Sequence, residues 1–140
     1  MNIVYAVAAY PAGALSDRVS GRALLLAGLL CLVLADLLLA LSDGVLLTLA
    51  GAAVWGLHMA LTQGLLSKLV ADHAPAELRG SAFGIFNLVS GIALLLASAL
   101  AGVLWTTFGA SATFSAGAAF ALLTALGLLL QPSLMPRQQH

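Results

Sequence analysis

The chain has 140 residues, of which 62% are hydrophobic and only 7% charged, with no net charge and a mean hydropathy of +1.10. Soluble domains carry about 25% charged residues, so this composition excludes an ordinary soluble fold and places the chain in a bilayer. Five Lys and Arg balanced by five Asp and Glu leave no basic surface for nucleic acid, and a single cysteine, Cys31, cannot form an internal disulfide.

Residues 1–15 are apolar but shorter than the roughly 20 residues a membrane-crossing helix needs. They lack the charged face of an interfacial helix, so they are expected to be the tail of a spanning helix, with Tyr5, Tyr10 and Pro11 near its cytoplasmic end. No cleavable signal peptide is expected, because no basic residue precedes the first apolar stretch. Asp17, Arg18 and Arg22 follow within six residues and mark a lipid–water boundary. Four full-length spans are then expected, at 23–41, 45–66, 81–104 and 112–130. Ser42-Asp43-Gly44 turns the first into the second, and a polar loop from Lys68 to Gly80 separates the second from the third. Trp105, Phe108 and Gly109 anchor and end the third, and Pro132 and Pro136 close the fourth. The expected fold is thus an all-α integral membrane protein, four transmembrane helices and a partial N-terminal one in a single region.

The basic residues orient this arrangement. Arg18 and Arg22, then Lys68 and Arg79, then Arg137 all fall on one side, and the two intervening turns contain no Lys or Arg. The positive-inside rule makes that side the cytoplasm, with Met1 outside and His140 inside. A bacterial inner membrane is the expected location.

Two loops carry a family resemblance. Gly13-Ala14-Leu15-Ser16-Asp17-Arg18-Val19-Ser20-Gly21-Arg22 resembles the Gly-x-Leu-(Ala/Ser)-Asp-Arg-x-Gly-Arg-Arg loop of the major facilitator superfamily of transporters, with Ser20 where the family prefers Gly and Gly21 where it prefers a basic residue. Asp72-His73-Ala74-Pro75-Ala76-Glu77-Leu78-Arg79-Gly80 is similar to the family's (Asp/Glu)-x-x-Pro-x-x-x-Arg-Gly loop. Their order and their separation by two hydrophobic helices align the chain with the end of the eighth helix through the twelfth. The resemblance implies secondary transport of a small solute by alternating access. It also implies that the partners are the lipid bilayer and either the missing N-terminal helices or a partner chain that supplies them. Gly13, Asp17, Arg18, Arg22, Arg79 and Gly80 would belong to a cytoplasmic gate, in which a carboxylate such as Asp17 meets the positive end of a helix. Simple anchoring of helix ends at headgroups is the plainer role for the arginines.

Inside the spans a few polar residues stand out. Thr48, Gly51, Trp55, His58 and Thr62 share an arc of about 80° on the second span, while Ala52, Gly56, Ala60 and Gly64 form a packing face. Trp55, His58 and Thr62 are therefore candidates for a solute path, against the alternative of a core histidine satisfied by a neighbouring carbonyl. Gly80, Gly84, Asn87, Gly91, Ser98 and Gly102 fall within about 60° on the third span. This smooth stripe suits close helix packing, and Asn87 is either its hydrogen-bonding member or part of the path. Asp36 stands on a leucine face about 9 Å from the Ser42 turn, a candidate for ion coupling. Thr113, Phe114, Ser115, Gly117, Thr124 and Gly127 of the fourth span are expected to serve packing.

Other functions fit less well. A serine hydrolase built on Ser90 and His58 lacks a strained nucleophile turn, so no enzyme activity is expected. His58, His73 and His140 lack ligand spacing, so neither a metal nor another cofactor is expected. A small dimeric four-helix exporter would need a mid-membrane carboxylate in its first helix, where residues 1–15 have none. A non-transporting membrane remnant or interaction partner is the remaining alternative.

Overall fold

A computed structural model describes residues 2–16 and 18–130. Met1, Asp17 and the tail bearing Pro132, Pro136, Arg137 and His140 lie outside the described residues. Among the described residues the regular structure is entirely helical: α1 (Asn2–Ser16), α2 (Gly21–Ala40), α3 (Val45–His73), a short 3₁₀ turn (Ala76–Leu78) and α4 (Arg79–Leu130). The protein is an all-α membrane bundle. By length and hydropathy Gly21–Ala40, Val45–His73 and the stretch Ala76–Leu130 are each able to cross a bilayer.

The helix limits follow local chemistry. Ser20 caps α2 by accepting a hydrogen bond from the Ala23 amide at 3.3 Å. Between α2 and α3 the hydroxyls of Ser42 and Thr48 are 2.5 Å apart, and Thr48 also donates to the Gly44 carbonyl. α3 runs seven residues past Leu66, through Lys68 and Asp72, because nothing there breaks a helix until Pro75. Proline disfavours the helical conformation in the residue before it, and Ala74 accordingly turns extended at φ −96°, ψ 130°. The polar loop is correspondingly short, and helical geometry resumes at Arg79.

α4 is two arms. Fifty-two residues of straight helix would measure about 78 Å, against a hydrocarbon core of about 30 Å. Gly109 breaks it with φ 86° and ψ 179°, a conformation that essentially only glycine adopts. Trp105 and Phe114 then meet edge to face with ring centroids 5.9 Å apart. Nine residues along one straight helix would separate them by about 13.5 Å, so the chain bends sharply here. Arms 79–108 and 110–130 are each long enough to cross a bilayer.

α2 is the centre of the bundle, with α3 on one side and the second arm of α4 on the other. Both neighbours are antiparallel to it. Gly28 meets Thr62 and Gly51 meets Leu39 on α3, while Asp36 meets Gly117 and Arg22 meets Leu129 on α4. α1 lies on α3. The first arm of α4 has no buried residue, whereas Ala118, Ala121 and Ala125 of the second arm are buried.

Candidate functional site

The described residues of the two loop motifs lie at the same end of the bundle, because α2 and α3 pack antiparallel. Gly13 and Ser16 of α1, Leu24 near the start of α2, and Gly64 and Leu65 of α3 line a common cavity of about 120 Å³. The Ser16 hydroxyl donates to the Gly13 carbonyl at 2.7 Å, and the Arg18 and Val19 amides both donate to the Leu15 carbonyl at 3.0 Å, closing α1 into a tight turn. Arg18, Arg79 and Gly80 are exposed at this end. Gly13 and Gly80 have open space where a side chain would be.

Arg22 does something that spacing did not reveal. Its guanidinium donates to the Leu129 carbonyl at 2.8 Å, 107 residues away. Leu129 is in the last turn of α4, where carbonyls have no helical donor and the helix dipole is negative. The contact ties the first loop to the end of the last helix, a pairing invisible in sequence because helix-end carbonyls have no residue signature. Arg22→Ala is expected to destabilise the bundle by about 0.5–1 kcal/mol, with Arg22→Lys recovering part of it. Thermal unfolding in micelles measures this; an unchanged midpoint for Arg22→Ala would deny the tie any energetic weight.

His58 and Thr62 are brought together at the α2–α3 crossing. His58 Nδ1 lies 2.8 Å from the Gly28 carbonyl, which only accepts, so Nδ1 carries the hydrogen. Thr62 is buried at 7% exposure and donates its hydroxyl to the His58 carbonyl at 2.9 Å. Its methyl group lies against Gly28, where a Cβ would come within 2.5 Å of Thr62 Cγ2. Trp55 is half-buried on the same helix. His58→Asn keeps an amide able to donate to Gly28, whereas His58→Leu does not. The leucine variant is therefore expected to be the less stable by about 1 kcal/mol. Equal unfolding midpoints would leave the hydrogen bond without weight.

Asn87 is not part of this cluster. It is exposed on the first arm of α4, and Gly84, Gly91 and Gly102 of its stripe have nothing within 4 Å of a built side chain. Asp36 is likewise separate, buried between α2 and the second arm of α4. Among the described residues no group of three or more His, Cys, Asp or Glu side chains comes together in a way that could hold a metal ion.

The comparisons with known proteins agree with the loop motifs. The family model of the Major Facilitator Superfamily matches residues 1–139. An uncharacterized MFS-type transporter of Methanocaldococcus jannaschii is 33% identical over 130 residues, covering 91% of this chain and 32% of that protein. Another uncharacterized MFS-type transporter, from Bacillus subtilis, is 35% identical over 120 residues, covering 84% of this chain and 28% of that protein. The chain thus spans about a third of the length of the curated relatives it matches. No solved structure matches. With residues 1–139 of its 140 matched by the family model, this integral membrane chain belongs to the Major Facilitator Superfamily.

Proposed function

We propose that this chain carries the end of the eighth helix through the twelfth helix of a secondary transporter, moving a small solute by alternating access together with the helices that precede it in the family fold. The observation that carries this reading is the family match over residues 1–139, joined to the two loop motifs read in the sequence. That end faces the cytoplasm, by the one-sided placement of Arg18, Arg22, Lys68, Arg79 and Arg137, and the membrane is a bacterial inner membrane.

In this reading Asp17, Arg18, Arg79 and Gly80 form this half's share of the cytoplasmic gate, and Arg22 holds the loop to the last helix while the gate works. Asn87 and Trp55 are the path residues with side chains free to serve a solute, Asn87 on the open first arm. His58 and Thr62 shape the path from behind, since His58 Nδ1 already donates to the Gly28 carbonyl and the Thr62 hydroxyl to the His58 carbonyl.

The test needs the complete transporter, with the preceding helices supplied on the same or a second polypeptide. Asp17→Asn keeps the shape and removes the charge. It is expected to weaken the cytoplasm-closed state by about 1 kcal/mol, a several-fold change in population read by crosslinking across the cytoplasmic mouth. An unchanged closed-to-open ratio, or solute uptake no higher than in vesicles lacking this chain, would overturn the reading.

A further inference from the structure

The cavity of about 120 Å³ between α1, α2 and α3 follows one face of α1. Its lining on that helix runs from Ser16 to Tyr5, about 16 Å along the axis. Ser16 stands just before Arg18, where the lipid–water boundary falls, so the cavity extends from that boundary into the membrane. The hydrocarbon core is about 30 Å thick, and one leaflet is half of that, about 15 Å. The cavity therefore has the depth of a single lipid tail.

Its walls are packed. Ala12 of α1, Leu24 of α2 and Leu65 of α3 line it and are buried, at 6%, 2% and 5% exposure. The space between them is left by two glycines. Gly13 and Gly64 have nothing within 4 Å of where a Cβ would be, and both are exposed, so the cavity is open along that edge. Water has little to hold it there. The Ser16 hydroxyl is already engaged, donating to the Gly13 carbonyl at 2.7 Å. Among the described residues no buried side-chain N or O atom lacks a partner, whereas a buried water needs several polar groups to bind. A space left empty forfeits the dispersion contacts that close packing supplies. In a bilayer the material at hand to fill it is the alkyl chain, which is as apolar as leucine.

We propose that this cavity is a lipid-tail site. One acyl chain of a phospholipid in the adjoining leaflet lies along α1 from Ser16 to Tyr5, with its phosphate at the level of exposed Arg18. The chain enters sideways over Gly13 and Gly64, and the missing Cβ atoms there give it room. Once seated, it joins α1 to α3 by contacts that the two helices do not make directly. The site needs a bilayer and no transported solute, so it stands or falls apart from the transport reading.

Photolabelling tests this in the full chain, reconstituted in phosphatidylcholine vesicles containing a phospholipid with a diazirine midway along one acyl chain. Label is expected to be denser on residues 5–16 and 60–65 than on Leu94, Leu95 and Leu96, exposed leucines of α4 that serve as the internal reference. Gly64→Leu fills the cavity and is expected to abolish that excess while leaving the reference label unchanged. Gly64→Ala, which the open space accepts, is expected to remove part of it. Label no denser than on the reference leucines, or an excess that survives both variants, would overturn the site. Displacement of the label by a free fatty acid of the same chain length would overturn the phospholipid as its occupant. Loss of the excess when the preceding helices are supplied would replace the lipid by a helix.

Discussion

Reconstituted alone in liposomes, this chain is expected to move no solute above the background of protein-free vesicles. The whole arm 79–108 has no buried residue, and at Gly84, Gly91 and Gly102 of its stripe nothing among the described residues lies within 4 Å of where a side chain would begin. Small residues on one helix face let another backbone approach closely, and burying that face requires helices beyond those described. The relatives are about three times as long, which leaves room for them. Alternating access needs two bundles that rock about a central site, and α1 to α4 make a single bundle around α2. Two measurements check this. Uptake of sugars, amino acids and organic cations by the lone chain is expected to be flat, and sustained uptake of any of them would revive the small dimeric exporter. Gly91→Leu is expected to leave the lone chain unchanged yet to lower transport at least tenfold in the complete protein. If it disturbs both equally, the stripe is already packed within this chain.

Much of the architecture was legible because membrane insertion imposes coarse rules. Hydrocarbon thickness fixes span length, so a run such as 23–41 reveals α2 to within a residue or two of its ends. Pro75 marked the loop but not how late α3 would end: Leu66 to His73 is polar enough to look like loop, yet contains no residue that prevents a helix. Gly109 was legible as a turn through its neighbours Trp105 and Phe108.

The pairings within the site were much less legible. His58 stood out as polar within a span, but only the fold shows that its partner is a backbone carbonyl, which every residue possesses. Gly28 carried no signal at all in a run of leucines, and Gly117 read as ordinary packing. Both matter because of what lies on the facing helix, Thr62 in one case and Asp36 in the other. Periodicity reports which face a residue occupies, not which residue it meets. Arg22 shows the same limit, since its partner at Leu129 lies at the far end of the chain.

Replacing Gly28 by alanine is expected to be among the most damaging one-methyl changes in the bundle. The new Cβ would be 2.5 Å from Thr62 Cγ2 and 3.6 Å from Leu61 Cβ, and the first of these distances cannot stand. A flexible side chain would swing aside, but Thr62 is stiff at χ1 and its hydroxyl is bound to the His58 carbonyl. The helices must therefore move apart, which also stretches the hydrogen bond from His58 to the Gly28 carbonyl. Overpacking of this kind costs about 1–3 kcal/mol, and loss of the hydrogen bond adds about 1 kcal/mol. Thr62→Ser removes the offending methyl while keeping the hydroxyl. In the double variant the alanine then has room, and most of the loss is expected to return. The two residues are in contact, so a coupling of at least about 1 kcal/mol should separate the double variant from the sum of the singles. Unfolding midpoints of the four proteins in one micelle system give that coupling. Additive losses would mean that Gly28 is needed for something other than the seat of Thr62, and the close crossing of α2 and α3 would lose its explanation.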